Sequence, residues 1–375
     1  MKFTCEKETL NYALNIVSKG VSSRTTLPIL KGIMISAVQG ESQVTFYSSD
    51  LDISIKTSTP AFVEDGGEIV VSAKLFADIV REMPAGQILF ELKEGNMAFL
   101  SGKNSEFDIQ GIPSDEFPRI EDKIEGSEIS IEKATFKDMI RRTAFAASME
   151  EARGIITGVL CEIGEGAVSL VALDGFRMAI TRGTIGAQDP MNVIIASRII
   201  GEIAKIIDDT GEEGGENIEI IAGESKAKFI MGETEAVVRL MEGEFIKYRD
   251  ILPKENKIKI KVSKSDLIES VKRAQIIVRE GKNTFIKFKL EGDSLIVSSR
   301  ADEGRNKEII FIEKEGEDLE IGFNGRFVND VLRVIPDEKI IMEFSTSISP
   351  CLIKPEEGDR YEYLILPVRL SSGGV

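Results

Sequence analysis

Histidine and tryptophan are absent from the 375 residues, and cysteine occurs only three times. Without an imidazole there is no Ser-His-Asp or Cys-His arrangement, and most zinc ligand sets are gone as well. Cys5, Cys161 and Cys351 are odd in number and widely spaced, which writes neither a disulfide framework nor a CxxC metal site, so a reducing cytoplasm is expected. No apolar run approaches the length of a membrane span, and MKFTCEKETL lacks the apolar core of a signal peptide. No metal, cofactor or catalytic group is therefore assigned. Paired carboxylates or a lysine remain open to an enzyme in principle. The candidate is Asp174 in LDGFR, more simply read as a turn residue before Gly175.

What is present is charge and repetition. The chain carries 47 basic and 63 acidic residues, a net charge of −16, with 42% apolar and 29% charged residues. Such a composition suits a soluble protein with real cores, and the length allows two to four domains. An acidic total argues against nucleic-acid binding unless a local basic surface overrides it.

One stretch occurs three times. IVVSAKLFADIVREMP from Ile69, IIASRIIGEIAKIID from Ile194 and LEIGFNGRFVNDVLRVIP from Leu319 each read as a β-run, a basic residue and a short amphipathic helix. Lys74, Arg198 and Arg326 stand 124 and 128 residues apart, and Leu75, Ile199 and Phe327 follow without a gap. At about 100° per residue, positions 74, 78 and 81 share one face while 75, 76, 79, 80 and 83 share the other. The polar face holds two bases and one acid in every copy: Lys74, Asp78, Arg81; Arg198, Glu202, Lys205; Arg326, Asp330, Arg333. Ion pairs on a solvated face explain this locally; a basic stripe facing a polyanion explains its recurrence.

Taken in order, the first repeat has a helix over Glu6–Val17, strands ILKGIMIS and QVTFYSSDLDISI, the repeated helix, and strands near 88–92, 97–101 and 106–112. The second has a helix IEKATFKDMIRRTAFAAS, strands GIITGVLCEI and AVSLVALDGFRMAITR, the repeated helix and three more strands. The third opens on strand KIKIKV and helix SKSDLIESVKRAQIIV, capped by Ser263 or Ser265. Further bases fall on the first helices of repeats two and three: Lys133, Lys137, Arg141 and Arg142, then Lys264, Lys272 and Arg273. The fold class is α+β, with domains at 1–124, 125–252 and 253–370 and a mobile tail at 371–375.

MKFTCEKETL, SSRTTLPIL, ALDGFRMAI, EFIKYRDILP, IGFNGRFVNDVL and LILPVRL together resemble the bacterial beta sliding clamp family, the processivity subunit of DNA polymerase III, over residues 1–370. The resemblance implies three clamp-type domains per chain, closed head to tail as a homodimer ring with helices lining a central hole and sheets outside. It implies sequence-independent binding of double-stranded DNA, and a cytoplasmic, non-enzymatic role tethering the polymerase, clamp loader and repair proteins through short peptide motifs. On the matching positions, DNA-facing residues are Arg24, Lys74, Arg81, Lys137, Arg141, Arg198, Lys205 and Arg326. The partner-peptide pocket is Ile156, Leu173, Gly175, Arg177, Met178, Ile246, Ile251, Asn324, Pro350, Ile365, Leu366, Pro367, Val368 and Arg369. The dimer interface is Phe107, Ile109, Ile276 and Ile277. Ile246, Asp250 and Phe176 depart from the family's familiar proline, arginine and histidine. The alternative is an acidic peptide-binding scaffold that does not act on DNA; in-register cations discriminate against it.

Overall fold

In this structure, a computed structural model, all six helices among the described residues follow directly on a strand. The described residues are 1–22, 25–120, 123–164, 166–186, 190–211, 214–278, 285–302 and 304–369. The helices are α1 (Lys7–Val17), α2 (Ala73–Glu82), α3 (Lys133–Thr143), α4 (Ser197–Thr210), α5 (Lys264–Val278) and α6 (Gly325–Val334). Each begins where two-residue alternation gives way to a period near 3.6. Ser263 caps α5, its hydroxyl accepting the Asp266 amide at 3.3 Å, and Asn324 caps α6 through the Arg326 amide at 3.0 Å.

The chain divides into two compact units. Residues 1–137 and 198–241 form one, and residues 138–197 and 242–375 the other. The first unit holds a five-stranded sheet in the order Phe62–Asp65, Lys2–Glu6, Gln87–Lys93, Met97–Gly102, Ser105–Gln110. It also holds an eight-stranded sheet whose seam joins repeats one and two: Thr234–Arg239 pairs antiparallel with Ile53–Pro60, and the Thr57 and Thr234 hydroxyls meet at 2.8 Å. Phe3, Leu10, Leu14, Phe46, Phe76 and Phe90 are fully buried between these layers, with the rings of Phe3 and Phe90 stacked at 4.9 Å.

The second unit repeats the design. Its nine-stranded sheet joins repeats two and three where Arg177–Thr184 pairs with Tyr361–Ile365, and its four-stranded sheet runs Gly304–Phe311, Ser294–Ala301, Phe285–Glu291, Leu319–Asn324. The middle repeat therefore gives half its strands to each unit. Burial of alternate strand residues on both sides of each seam makes it continuous with the core.

Several boundaries differ from the sequence expectation. Lys2–Glu6 and Ser127–Glu132 are strands leading into α1 and α3, so α3 starts at Lys133 and stops at Thr143. The runs Gln43–Ile55 and Ala167–Arg182 are hairpins. Asp50 Oδ1 accepts the amides of Asp52 and Ile53 at 3.0 and 2.8 Å, and Asp174 Oδ1 accepts those of Phe176 and Arg177 at 2.9 and 3.0 Å. These are side-chain turns that mimic a backbone turn, and Gly175 supplies the positive φ of 88° that the second one needs. Strand Gly304–Phe311 is also additional to the sequence reading. Leu75 is exposed, not packed with Phe76, Ile79 and Val80.

Candidate DNA-facing helices and peptide groove

The basic residues of the helices fall into two sets. The first lysine of each repeat's first helix turns inward to the end of its second helix. Lys7 Nζ donates to Met83 O at 2.5 Å, Lys133 to Gly211 O at 2.5 Å and Lys264 to Ile335 O at 3.0 Å. Their amides also recur in register, donating to the carbonyls of Gly86, Glu216 and Glu338, each just before the strand that follows the second helix, at 3.0, 2.9 and 2.8 Å. Carbonyls at a helix C-terminus carry partial negative charge and want donors, so each lysine pins two helices of one repeat together. Lys133 is buried, and burial holds its ammonium below the usual lysine range. Lys133 and Lys264 thus leave the set of basic residues that the sequence presents as available.

The second set lies outward. Lys74, Arg81, Arg141, Arg198, Lys205 and Arg326 are exposed and Lys137 is half-buried. Most are tempered by an acid: Arg81 by Asp78 at 2.5 Å, Lys205 by Glu202 at 2.8 Å, Arg141 by Asp138 at 2.7 Å, and Lys137 by Asp208. Arg198 reaches Asp50 and Asp52 of the hairpin turn at 2.9 and 3.2 Å. Exposed pairs of this kind contribute only ~0–1 kcal/mol each and are easily exchanged for a phosphate. Among the described residues Lys74 makes no ion pair. Arg24 lies outside the described residues, as does the tail at 371–375.

In the second unit, the turn at Asp174, the chain after Ile365 and the start of α6 meet. Leu366 N donates to Phe176 O at 2.8 Å and Val368 N to Gly322 O at 2.9 Å, so the proline between them leaves the sheet and crosses to the neighbouring one. Arg177 is the central side chain, only 9% exposed. It donates to Asp174 at 3.0 Å, Asp330 at 2.7 Å and Phe145 O at 3.0 Å. Its guanidinium also lies 5.2 Å from the Phe145 ring and 4.7 Å from Phe327. Phe327 stacks on Phe176 at 6.0 Å, and the Arg153 guanidinium lies 5.8 Å from the Phe176 ring. Arg177 and Arg153 thus stand at either end of the stacked Phe327–Phe176 pair, each cation contact favourable through the ring quadrupole.

The predicted pocket residues divide around it. Leu173, Met178 and Ile365 are buried; Ile156, Asn324, Pro350, Leu366, Pro367 and Val368 are half-buried; Gly175, Ile246, Ile251 and Arg369 are exposed. Ile246 also lines a cleft of about 510 Å³ with Leu160, Glu162, Ile194 and Tyr248. The segment at Tyr248 and Arg249 is anchored on Glu162, which accepts Arg249 at 2.9 and 2.8 Å and the Tyr248 hydroxyl. Burial pushes the Glu162 carboxyl up, but those donors outweigh it and hold it below the usual range. Arg153, Phe145, Phe176 and Phe327 join the groove without being among the predicted set. Only tertiary contact brings them together, although Phe176 is conspicuous as an apolar residue in a turn.

Two free edges complete the picture. Ser105–Gln110 is the outer strand of the five-stranded sheet, with Phe107 exposed. Ile109 points into the core, so at an interface it can offer only its backbone. In the second unit Ile276 is exposed and Ile277 half-buried on α5, beside edge strand Gly304–Phe311, whose Ile309 and Phe311 are exposed. Unpaired edges with apolar side chains are pairing surfaces.

Family models for the N-terminal, central and C-terminal domains of the DNA polymerase III beta subunit match residues 1–121, 130–247 and 249–369. The chain belongs to the DNA polymerase III beta subunit family, the beta sliding clamps. The beta sliding clamp of Halalkalibacterium halodurans is 34% identical over 98% of this chain and 100% of the relative. That of Bacillus subtilis is 31% identical over the same shares. Among solved structures, the Bacillus subtilis DNA polymerase sliding clamp superposes with a TM-score of 0.94 at 31% identity, covering 99% of both chains. The Thermotoga maritima beta subunit gives 0.92 at 28% identity, covering 99% and 100%. For a beta clamp, the α+β class and the threefold repeat follow from the family as well as from the strands. Among the described residues no helix is long and apolar enough to cross a membrane.

Proposed function

We propose that this chain is a non-catalytic, cytoplasmic sliding clamp: two copies close head to tail around duplex DNA and tether the replicative polymerase, clamp loader and repair proteins by short peptide motifs. The observation that carries the reading is the outward basic set, in register in three repeats and tempered by acids. A closed ring cannot leave DNA sideways, so it requires only loose, exchangeable phosphate contacts that carry no sequence information. Strongly cationic faces would bind too tightly to slide.

In this reading Lys74, Arg81, Lys137, Arg141, Arg198, Lys205 and Arg326 face DNA. The strand bearing Phe107 pairs with the edge beside Ile276 and Ile277 of the second copy. A partner peptide lies over Leu366–Arg369 against Phe176, with Leu173, Met178 and Ile365 as the floor. An apolar groove beside an irregular, extended segment suits a short extended ligand.

Retention on circular plasmid tests the ring. Loaded protein should survive a salt wash and be released when the plasmid is cut; release by salt alone would mean ordinary electrostatic binding. For the groove, Leu366→Asp should abolish peptide binding while preserving the fold. Deleting 364–375 is a poor substitute, because Tyr361–Ile365 is an interior strand of the nine-stranded sheet.

A further inference from the structure

The acid on the outward face is not used alike in the three repeated helices. In α2 it is Asp78, bonded to Arg81 at 2.5 Å, and in α4 Glu202, bonded to Lys205 at 2.8 Å. In α6 the acid is Asp330, and its Oδ2 accepts Arg177 Nη1 from the groove at 2.7 Å. Arg326 Nε stands 3.9 Å from the same oxygen, beyond hydrogen-bond range. Arg333, exposed one turn further on, makes no ion pair among the described residues. The acid that would temper this helix has been drawn inward.

What draws it is firmly held. Arg177 is fixed by Asp174, by the Phe145 carbonyl and between two aromatic rings, so its guanidinium is already in place for Asp330. A partly buried pair with such geometry outcompetes an exposed one, which loses side-chain entropy and is screened by solvent. Arg326, with its side chain 80% exposed, is the loser.

We propose that Arg177 is a positioning residue for DNA contact: by holding Asp330 it leaves Arg326 with only a long ion pair at 3.9 Å and Arg333 with none among the described residues, and so couples the peptide groove to the phosphate-facing surface of α6. The proposal rests on the reading of α6 as DNA-facing. Two consequences follow. Of the three repeated helices, α6 makes the strongest phosphate contact. A groove ligand that engages Arg177 returns Asp330 to Arg326 and loosens the grip on DNA; by linkage, DNA at Arg326 disfavours that ligand by the same factor. A partner docking in the groove would thereby free the ring to move.

The test uses the full chain and a short labelled duplex, titrated with salt. Arg177→Met should weaken DNA binding and flatten the dependence of log K on log salt by about 0.9, one phosphate contact. Arg177→Met with Asp330→Asn, which restores the wild-type net charge, should regain the wild-type slope. Arg177→Lys, which keeps a cation near Asp330, should remain close to wild type. A wild-type slope for Arg177→Met would overturn the proposal, and so would a double variant as weak as the single one, since that means general damage to the groove. Should Arg177→Met fail to fold, Asp330→Asn decides: Arg177 already holds Asp330 away from Arg326, so the salt slope should stay close to wild type, and a steeper slope that disappears in Arg326→Ala overturns the proposal, because Asp330 would then be compensating Arg326 in the wild type. Failure of the wild type to stay on circular plasmid would instead remove the DNA-facing reading itself.

Discussion

Lys7, Lys133 and Lys264 occupy the first position of one helix in each repeat; Lys74, Arg198 and Arg326 occupy the second position of the other. In the sequence the two sets look alike: a base after a β-run, in register, three times over. The first set is drawn in to cap the second helix's end, whereas the second set stands in solvent. The difference lies in what each helix start faces: the end of a neighbouring helix, with unsatisfied carbonyls, or solvent and, at Arg198, the carboxylates of a hairpin turn. Recurrence of a charge therefore marks repeated structure before it marks function, and only the outward set is available to DNA.

Substitutions can break this comparison or sharpen it. The largest effect is expected at the inward residue with most partners: Arg177→Ala leaves Asp174 and Asp330 partly buried without their cation and should cost about 3 kcal/mol by denaturant unfolding. Next comes Lys133→Ala, expected to cost ~1–2 kcal/mol through the lost cap and the lost packing of its stem. Lys133→Met, which keeps the stem, should cost less. If Lys133→Ala proved neutral, the inward set would be no more structural than the outward one. Arg198→Ala and Lys205→Ala should change stability by less than ~0.5 kcal/mol while reducing the salt slope of DNA binding.

A pH effect singles out one surface pair whose carboxylate takes several donors. Arg119 donates to Glu68 at 3.0 and 2.7 Å, with Ser114 at 3.1 Å and Ser36 at 3.2 Å also on the carboxylate, tying the last segment of the first repeat to strand Gly67–Ser72. The Arg119 bonds hold the Glu68 carboxyl below the usual range. A depressed folded-state value means the stabilisation is fully present above the unfolded glutamate value near 4.3 and is lost as pH falls through the lower, folded one. Glu68→Gln should flatten that acid limb of the stability curve. The smallest effect is on chemistry: burial pushes the Cys5 and Cys161 thiols up to about 12 and raises Cys351 too, so none should react with a thiol reagent at neutral pH until the chain unfolds.

The threefold repeat, the six helices and their polar and apolar faces were legible in the sequence, because a periodicity of 3.6 is a local property repeated at fixed spacing. The hairpins at Asp50 and Asp174 were less so: continuous alternation hides a turn whose signal is one side chain bonding its own backbone. The floor of the groove looked like strand core, which Leu173, Met178 and Ile365 are. Its wall was not legible. Apart from Arg177, which the resemblance marks, it is built by Phe145, Arg153, Phe176 and Phe327, which no spacing relates.

The sequence by itself determined three copies of one α+β plan, a set of amphipathic helices and an acidic chain with basic helix faces. Tertiary structure decided which bases face solvent and which acid each one keeps. It also decided that the middle repeat shares its strands with both neighbours, because backbone donors at the edge of one repeat are satisfied by the next. The reason is the same in each case. Periodicity fixes the face on which a residue lies, but its partner is set by what the packing of distant segments brings within hydrogen-bond reach.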